Sequence, residues 1–100
     1  MILRVSEAIV RAGAEQEFLA RLHALVADFP DRYQGLLRHE VLVDEAEPRR
    51  IQYVSAWRED ADLIAYAGAL WRTEPVTFPG EEHYLESPLT LRHFRVHVAE

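Results

Sequence analysis

The sequence predicts an α+β domain with the element order βαββαβ and a four-stranded antiparallel sheet. Four stretches alternate apolar and polar side chains with a period of two, as strands do, and two others repeat apolar residues at helical spacing. The polar segment 44–50, which carries Pro48, is short enough to join the two middle strands as a hairpin. Residues 1–100 contain no repeat, low-complexity segment or linker, so we expect a single domain.

The first half of the chain contains strand, helix and strand. Residues 2–10 form a strand with apolar side chains on both faces, which is typical of an interior strand. A helix is predicted for 14–29, because Gly13 breaks the strand pattern and the residue before Pro30 is disfavoured in a helix. The second strand follows Gly35, and its alternation assigns to one face Leu37, His39, Val41 and Val43.

The second half contains strand, helix, an irregular segment and a last strand. Residues 51–57 form the third strand and turn Tyr53 and Trp57 to one face. Acidic residues then mark a helix start, where they suit the positive end of the helix dipole. The apolar stripe of this helix comprises Leu63, Ile64, Ala67, Leu70 and Trp71. Segment 72–87 is irregular, with one possible helical turn at 81–85, and 89–98 form the last strand.

This element order is that of a ferredoxin-like sheet with both helices on one face. The other face then needs a cover, because we expect it to carry apolar side chains such as Val41, Val43 and Leu91. A second copy of the chain would supply that cover, so the sequence predicts a homodimer with sheets packed face to face.

Composition excludes several classes of function. The net charge is −6 and the basic residues are scattered, which argues against a nucleic-acid partner. Without cysteine there can be no disulfide, thiolate nucleophile or cysteine-bound metal. No apolar run reaches membrane-spanning length and no signal-peptide pattern is present, so we expect a cytoplasmic protein with no membrane partner. No metal site or cofactor is expected, since no metal-ligand histidine spacing or phosphate loop occurs.

Two runs, VRAGAEQEFLARLHAL and YQGLLRHEVLVDEAEPRRIQYVSAWREDADLIAYAG, resemble the antibiotic biosynthesis monooxygenase family of small dimeric α/β-barrel proteins. The resemblance rests on Gly13, Gly35, Pro48 and Trp57, covers the chain from residue 2 to about residue 70, and extends to the final strand. It implies two ferredoxin-like protomers that form a dimeric α/β barrel, each with a pocket between helices and sheet. It also implies oxidation of aromatic, polyketide-like substrates by dioxygen without metal or flavin.

One branch of this family degrades haem, and the resemblance argues against that activity here. That branch uses an asparagine in the first strand, a tryptophan in the second helix and a histidine near the end of that helix. The matching positions hold Ser6 and Tyr66, and no histidine follows before His83. We therefore expect no haem degradation.

The candidate site residues are those that the resemblance and the pattern place near the pocket. His83 is the expected base, with Tyr66 or Ser6 orienting the substrate. The expected substrate-binding residues are Trp57, Trp71, Phe78 and Tyr84. Each has a plainer interpretation: the tryptophans are core residues, His83 is a surface residue, and the hydroxyl of Ser6 is satisfied by a neighbour.

Two functions remain open from the sequence. The first is a cofactor-independent monooxygenase acting on a small aromatic, polyketide- or quinol-like molecule. The alternative is a non-catalytic dimeric small-molecule-binding or stress-related module on the same fold. A cavity of roughly 300 Å³ or more between helices and sheet would favour the first function. A pocket filled by the protein's own aromatic side chains would favour the second.

Overall fold

A computed structural model describes residues 1–98, which form a four-stranded antiparallel sheet in the order β2-β3-β1-β4. The strands are β1 (Ile2–Ile9), β2 (Leu36–Val43), β3 (Arg50–Trp57) and β4 (Thr90–Arg95). β1 pairs with both β3 and β4, and β2 pairs with β3 in the expected hairpin. The predicted ferredoxin-like α+β fold is confirmed.

The helices are α1 (Glu15–Val26), α2 (Phe29–Arg32) and α3 (Asp60–Ala67), and a 3-10 turn covers Glu81–Tyr84, inside the segment where one helical turn was expected. α1 ends three residues earlier than predicted. Pro30 opens α2 instead of closing α1, because the fixed φ of proline suits the first turn of a helix. None of these helices, over residues 1–98, is long and apolar enough to cross a membrane.

The predicted apolar stripe of the second helix is partly wrong. α3 stops at Ala67, because Gly68 takes a φ of 88°, a conformation that side chains with a Cβ avoid. Leu70 therefore lies beyond the helix, and both Leu70 and Ile64 are exposed. The buried side of α3 is formed by Leu63 and, towards the core, Tyr66.

A β-bulge shifts the alternation of β2. Leu36 lies opposite Trp57 while Arg38 lies opposite Ala56, so Leu37 is an extra residue in the strand. Leu36 packs on the core, whereas Leu37, predicted to share the face of His39, is 53% exposed. A pattern of strict alternation cannot reveal such an insertion.

Gly35, which precedes β2, allows α3 to approach the sheet. The side chain of Asp62 lies so close that a Cβ at this position would overlap its carboxyl group. The same carboxylate accepts two hydrogen bonds from Arg58, at 2.9 and 3.2 Å, and the backbone N–H of Arg58 donates to the Gly35 carbonyl at 2.9 Å. A glycine is thus required here by close packing.

The core lies between the helices and one face of the sheet and has two parts. The larger part consists of Ala8, Val10, Phe18, Leu22, Val26, Phe29, Ile51, Tyr53, Phe78 and Leu85. The smaller part consists of Ile2, Trp57, Leu63 and Trp71. Tyr66 packs against both parts and so joins them.

The helix-free face of the sheet carries other residues than those expected. Val41 lies opposite Tyr53, Val43 opposite Ile51 and Leu91 opposite Ser6, so all three point to the helix side, and the prediction that they need an outside cover is wrong. Two features explain why these residues lie on the helix side: the bulge at Leu37 shifts the alternation of β2, and the pairing of β4 with β1 turns Leu91 inward. The larger apolar side chains of the free face are Leu3, Val5, Ile9, Leu42, Val54 and Phe94, and Ala56 lies among them. The homodimer stays a prediction.

Candidate functional site

A narrow cleft of about 20 Å³ lies between α1, the helix side of the sheet and the segment that leads to the 3-10 turn. Its apolar walls come from α1, the inner strands and two loop residues, and three polar side chains reach it: Ser6, Tyr53 and Glu81. The remaining lining residues are Ala8, Phe18, Leu22, Ile51, Val76 and Leu89. Polar groups that converge on an otherwise apolar cleft are typical of a small-molecule site.

Glu81 is the buried acid of the cleft. It opens the 3-10 turn, is only 4% exposed, and its Oε1 accepts a hydrogen bond of 3.3 Å from the backbone N–H of Phe78. Burial raises the pKa of the Glu81 carboxyl to about 7; the Phe78 hydrogen bond opposes that shift and the neighbouring charge of Glu82 adds to it. Near neutral pH this carboxyl is present in both protonation states, so it can accept a proton and return it.

Tyr53 supplies the second polar group from β3. Its ring is 8% exposed, and its hydroxyl lies 2.7 Å from Nδ1 of His39 on β2. Burial raises the pKa of the Tyr53 phenol, so its hydroxyl keeps its proton at neutral pH. The same residue also lines an open groove of about 210 Å³ on the other side, together with His23, Val26, His39, Glu40 and Val41.

A second buried polar cluster surrounds Arg4 of β1. Its Nη1 donates to the carbonyl of Trp71 at 2.6 Å and to Nε2 of His93 at 3.0 Å, and its Nη2 donates to the carbonyl of Glu74 at 2.9 Å. Burial, then the charges of Arg4 and Arg72, lower the pKa of His93 to about 4, so the imidazole is neutral and its Nε2 can accept. Burial also lowers the pKa of Arg4 itself. The cluster fastens the segment after α3 to the sheet.

The sequence-predicted site residues do not come together in one place. Ser6 lines the cleft, whereas none of Tyr66, Trp57 or Trp71 does. Tyr66 packs on Trp57, with ring centroids 4.6 Å apart, and lies 5.6 Å from the guanidinium carbon of Arg4. Trp57 is fully buried and donates from Nε1 to Ser55 Oγ at 2.8 Å, while Trp71 is buried beside His93.

The predicted site residues of the segment 78–84 also do not line the cleft: two pack in the core and one is exposed. Phe78 and Tyr84 pack on Phe18, with centroid distances of 5.6 and 6.3 Å, in the core behind the cleft. The side chain of His83 is 81% exposed and its Nε2 lies 3.8 Å from a carboxylate oxygen of Glu82. His83 therefore lies outside the cleft, and its neighbour Glu81 points inward. The catalytic and binding roles of these residues stay predictions.

Glu81, Tyr53 and Arg4 are not among the sequence-predicted site residues, although the pattern holds a signal for two of them. Tyr53 shares its strand face with Ile51 and Trp57, so its buried hydroxyl needs a partner. Arg4 is the charged residue on the inward face of β1. Glu81 has no such signal. Among residues 1–98, no cluster of three or more metal-ligating side chains occurs.

The strand order, the register and the cleft between helices and sheet define a ferredoxin-like α+β protein. The sequence model of the family described as antibiotic biosynthesis monooxygenase matches residues 1–75. The chain belongs to this family.

Solved structures of the same fold include a conserved protein from Methanosarcina mazei Go1, with 18% identity, a TM-score of 0.78, and coverage of 94% of this chain and 90% of that one. An antibiotic biosynthesis monooxygenase shares 14% identity with a TM-score of 0.74, covering 98% of this chain and 100% of that one. The protein Rv0793 from Mycobacterium tuberculosis shares 14% identity with a TM-score of 0.75, covering 98% and 96%. At these identities the likeness shows the fold alone. A search of curated proteins finds no match.

Proposed function

We propose that the protein is a cofactor-independent monooxygenase that oxidises a small aromatic, polyketide- or quinol-like molecule at the cleft, with Glu81 as the base. Family membership supports the reaction class. The observation that carries the residue assignment is the buried Glu81 carboxyl, whose pKa of about 7 matches the pH at which a base must accept and release a proton.

The reaction needs a base, a substrate that forms a stabilised anion, and dioxygen. Glu81 takes a proton from an acidic C–H or O–H of the substrate, and the resulting anion passes one electron to dioxygen. The substrate radical and superoxide combine into a carbon-bound peroxide, which accepts the proton back from Glu81. Glu81 then removes the remaining hydrogen of that carbon as a proton while the O–O bond breaks, so that a carbonyl group forms and the departing hydroxide leaves with this proton as water. The sum is R₂CH₂ + O₂ → R₂C=O + H₂O. Ser6 and Tyr53 hold the substrate oxygen by hydrogen bonds.

The alternative is a module that binds a small molecule without turnover, and the volume of the cleft favours it. The space of about 20 Å³ is far below the roughly 300 Å³ that small-molecule pockets commonly offer. Turnover therefore requires the cleft to widen when the substrate enters. The two functions differ in one measurable respect, the consumption of dioxygen.

The test compares Glu81→Gln with Glu82→Gln in an oxygen-electrode assay with an anthrone as the substrate. Glu82 is the matched control, because it is adjacent, acidic and exposed. We expect Glu81→Gln to lower the rate by about 10²–10⁴-fold, the usual contribution of a general base, and Glu82→Gln to keep the wild-type rate.

A Glu81→Gln rate within about twofold of wild type would remove Glu81 as the base. If the wild-type protein binds the anthrone but consumes no dioxygen, the protein is the non-catalytic binding module. Thermal unfolding of both variants shows whether a lost rate reflects lost structure.

A further inference from the structure

Tyr53 lines both the cleft and the open groove, and the two spaces follow one another along α1. Phe18 and Leu22 line the cleft, and His23 and Val26, the next positions of the same helix, line the groove. Within the described residues, the Tyr53 side chain is the wall that the two spaces have in common.

We propose that Tyr53 is a movable partition, and that groove and cleft together bind one neutral phenolic molecule of one or two rings. The rings lie in the groove, and the ligand hydroxyl bonds to the Tyr53 hydroxyl. This inference rests on the proposed function only for the aromatic class of the ligand. It concerns the binding of that ligand and holds whether or not the protein oxidises it.

The chemistry of the groove matches such a ligand. Val26 and Val41 form apolar walls for a ring, and Tyr53, whose hydroxyl is protonated at neutral pH, lines the same groove. Its bond to His39 Nδ1 uses one hydrogen-bonding position, and a hydroxyl offers one donor and two acceptor positions. A phenolic hydroxyl of the ligand offers the same positions, so it can replace His39 as the partner of the Tyr53 hydroxyl.

The size of the groove limits the ligand. Its volume of about 210 Å³ is below the roughly 300 Å³ at which drug-sized pockets begin, so one or two rings fill it. The hydrogen bond to His39 holds the Tyr53 ring in place when the groove is empty. A ligand hydroxyl that replaces this bond allows the ring to swing and the cleft to join the groove.

The first experiment locates the ligand by amide NMR during titration with 1-naphthol under nitrogen. We expect the amide signals of His39 and Val41, in the groove, to shift together with those of Ala8 and Glu81, at the cleft, and with one dissociation constant. Shifts confined to one of the two sets, or absent from both, would overturn the shared site.

The second experiment tests the hydroxyl. Tyr53→Phe deletes it, and Tyr33→Phe is the matched control, because the Tyr33 ring packs against the Tyr66 ring, with centroids 5.0 Å apart, and lines neither space. We expect Tyr53→Phe to weaken 1-naphthol binding about fivefold to tenfold, which is the contribution of one hydrogen bond, and not to weaken the binding of naphthalene, which has no hydroxyl. Tyr33→Phe should leave both affinities unchanged.

Equal 1-naphthol binding by wild type and Tyr53→Phe would overturn the role of Tyr53. Both variants lose only a hydroxyl, and urea unfolding shows that each is folded during the titration. These readouts test the binding site separately from the proposed monooxygenase reaction. Binding of 1-naphthol in the groove without oxygen consumption would contradict only the reaction. Oxygen consumption without NMR shifts in the groove would contradict only the inference about Tyr53.

Discussion

Glu81 couples the stability of the protein to pH. An isolated carboxyl of this kind has a pKa of 4.5, and burial raises it to about 7 in the folded chain. Between these values the folded protein holds a proton that the unfolded chain has released, so the free energy of unfolding falls as pH rises. Below pH 4.5 both states are protonated and the full contribution is present; it is lost as pH passes through about 7.

We expect the free energy of unfolding of wild type, relative to Glu81→Gln, to fall by up to about 3 kcal/mol between the two pKa values, since one pKa unit corresponds to about 1.4 kcal/mol. Urea unfolding at a series of pH values measures this difference. Glu82→Gln removes the exposed neighbouring carboxylate and keeps the buried Glu81, so this control should retain the pH dependence of wild type apart from the smaller contribution of the Glu82 charge to the pKa of Glu81. A flat difference for Glu81→Gln would mean that the carboxyl is solvated in the folded state.

The residue scale is where the sequence is least informative. Alternation along β3 turns Tyr53 inward, so its burial follows from the pattern. The 3-10 turn has no such guide, because four consecutive residues give no repeat from which an inward side could be read. In the structure Glu81 is buried, whereas Glu82 and His83 are exposed.

At the scale of elements, Arg4 fastens the segment that follows α3. Two carbonyls of this segment, those of Trp71 and Glu74, have the Arg4 guanidinium as a hydrogen-bond donor. The segment continues through Val76 to Glu81, both of which line the cleft. The guanidinium therefore helps to hold one wall of the cleft in place.

We expect Arg4→Met to lower the free energy of unfolding by about 1–3 kcal/mol, because it leaves the buried Trp71 carbonyl and the partly buried Glu74 carbonyl without this donor. Amide hydrogen exchange over residues 71–81 should become faster. The control is Arg72→Met, which removes an exposed arginine that stacks on the Trp71 ring at 4.2 Å. Unchanged exchange in the Arg4 variant would show that packing alone holds the segment.

The kinds and order of the elements are predictable because each is encoded locally. Period-two and helical patterns locate the strands and the long helices, and Gly35 and Pro48 mark the turns. Two departures are not encoded in periodicity. The end of α3 depends on the conformation of Gly68, and the extra residue in β2 depends on how that strand pairs with β3.

At the scale of the whole molecule, the helix-free face decides how the protein assembles. Phe94 is 49% exposed on this face, and Leu42 and Val54 lie on it as well. Exposed apolar side chains that share a sheet face with charged ones are typical of an interface, and a second copy would cover them by packing sheet on sheet. The argument for the homodimer expected from the sequence therefore still applies, but the residues that need a cover are those of the free face and not Val41, Val43 and Leu91.

We expect a homodimer at micromolar concentration that Phe94→Asp dissociates, because a charge would be buried in the interface. Val43→Asp is the matched control: Val43 is 45% exposed but belongs to the helix side of the sheet. Sedimentation equilibrium distinguishes the outcomes, and a wild-type mass near 11.6 kDa would exclude the dimer.

The fold is predictable at this scale, whereas the composition of its free face is not. The order of strands and helices leaves few topologies, and the ferredoxin-like one places both helices on one side. Which residues occupy the opposite side depends on the phase of each strand, and one extra residue in β2 is enough to exchange the sides of Leu36 and Leu37.

The bulge at Leu37 also bears on how this chain is compared with its relatives. The alternation of inward and outward side chains in β2 is shifted by one position between the residues before the extra residue and those after it. A chain that lacks this extra residue can be in step with β2 on only one side of Leu37 unless the alignment opens a single-residue gap there. Gly35 and His39 lie on opposite sides of Leu37, so the counterpart of one of them in such a chain moves by one position when the gap is left out.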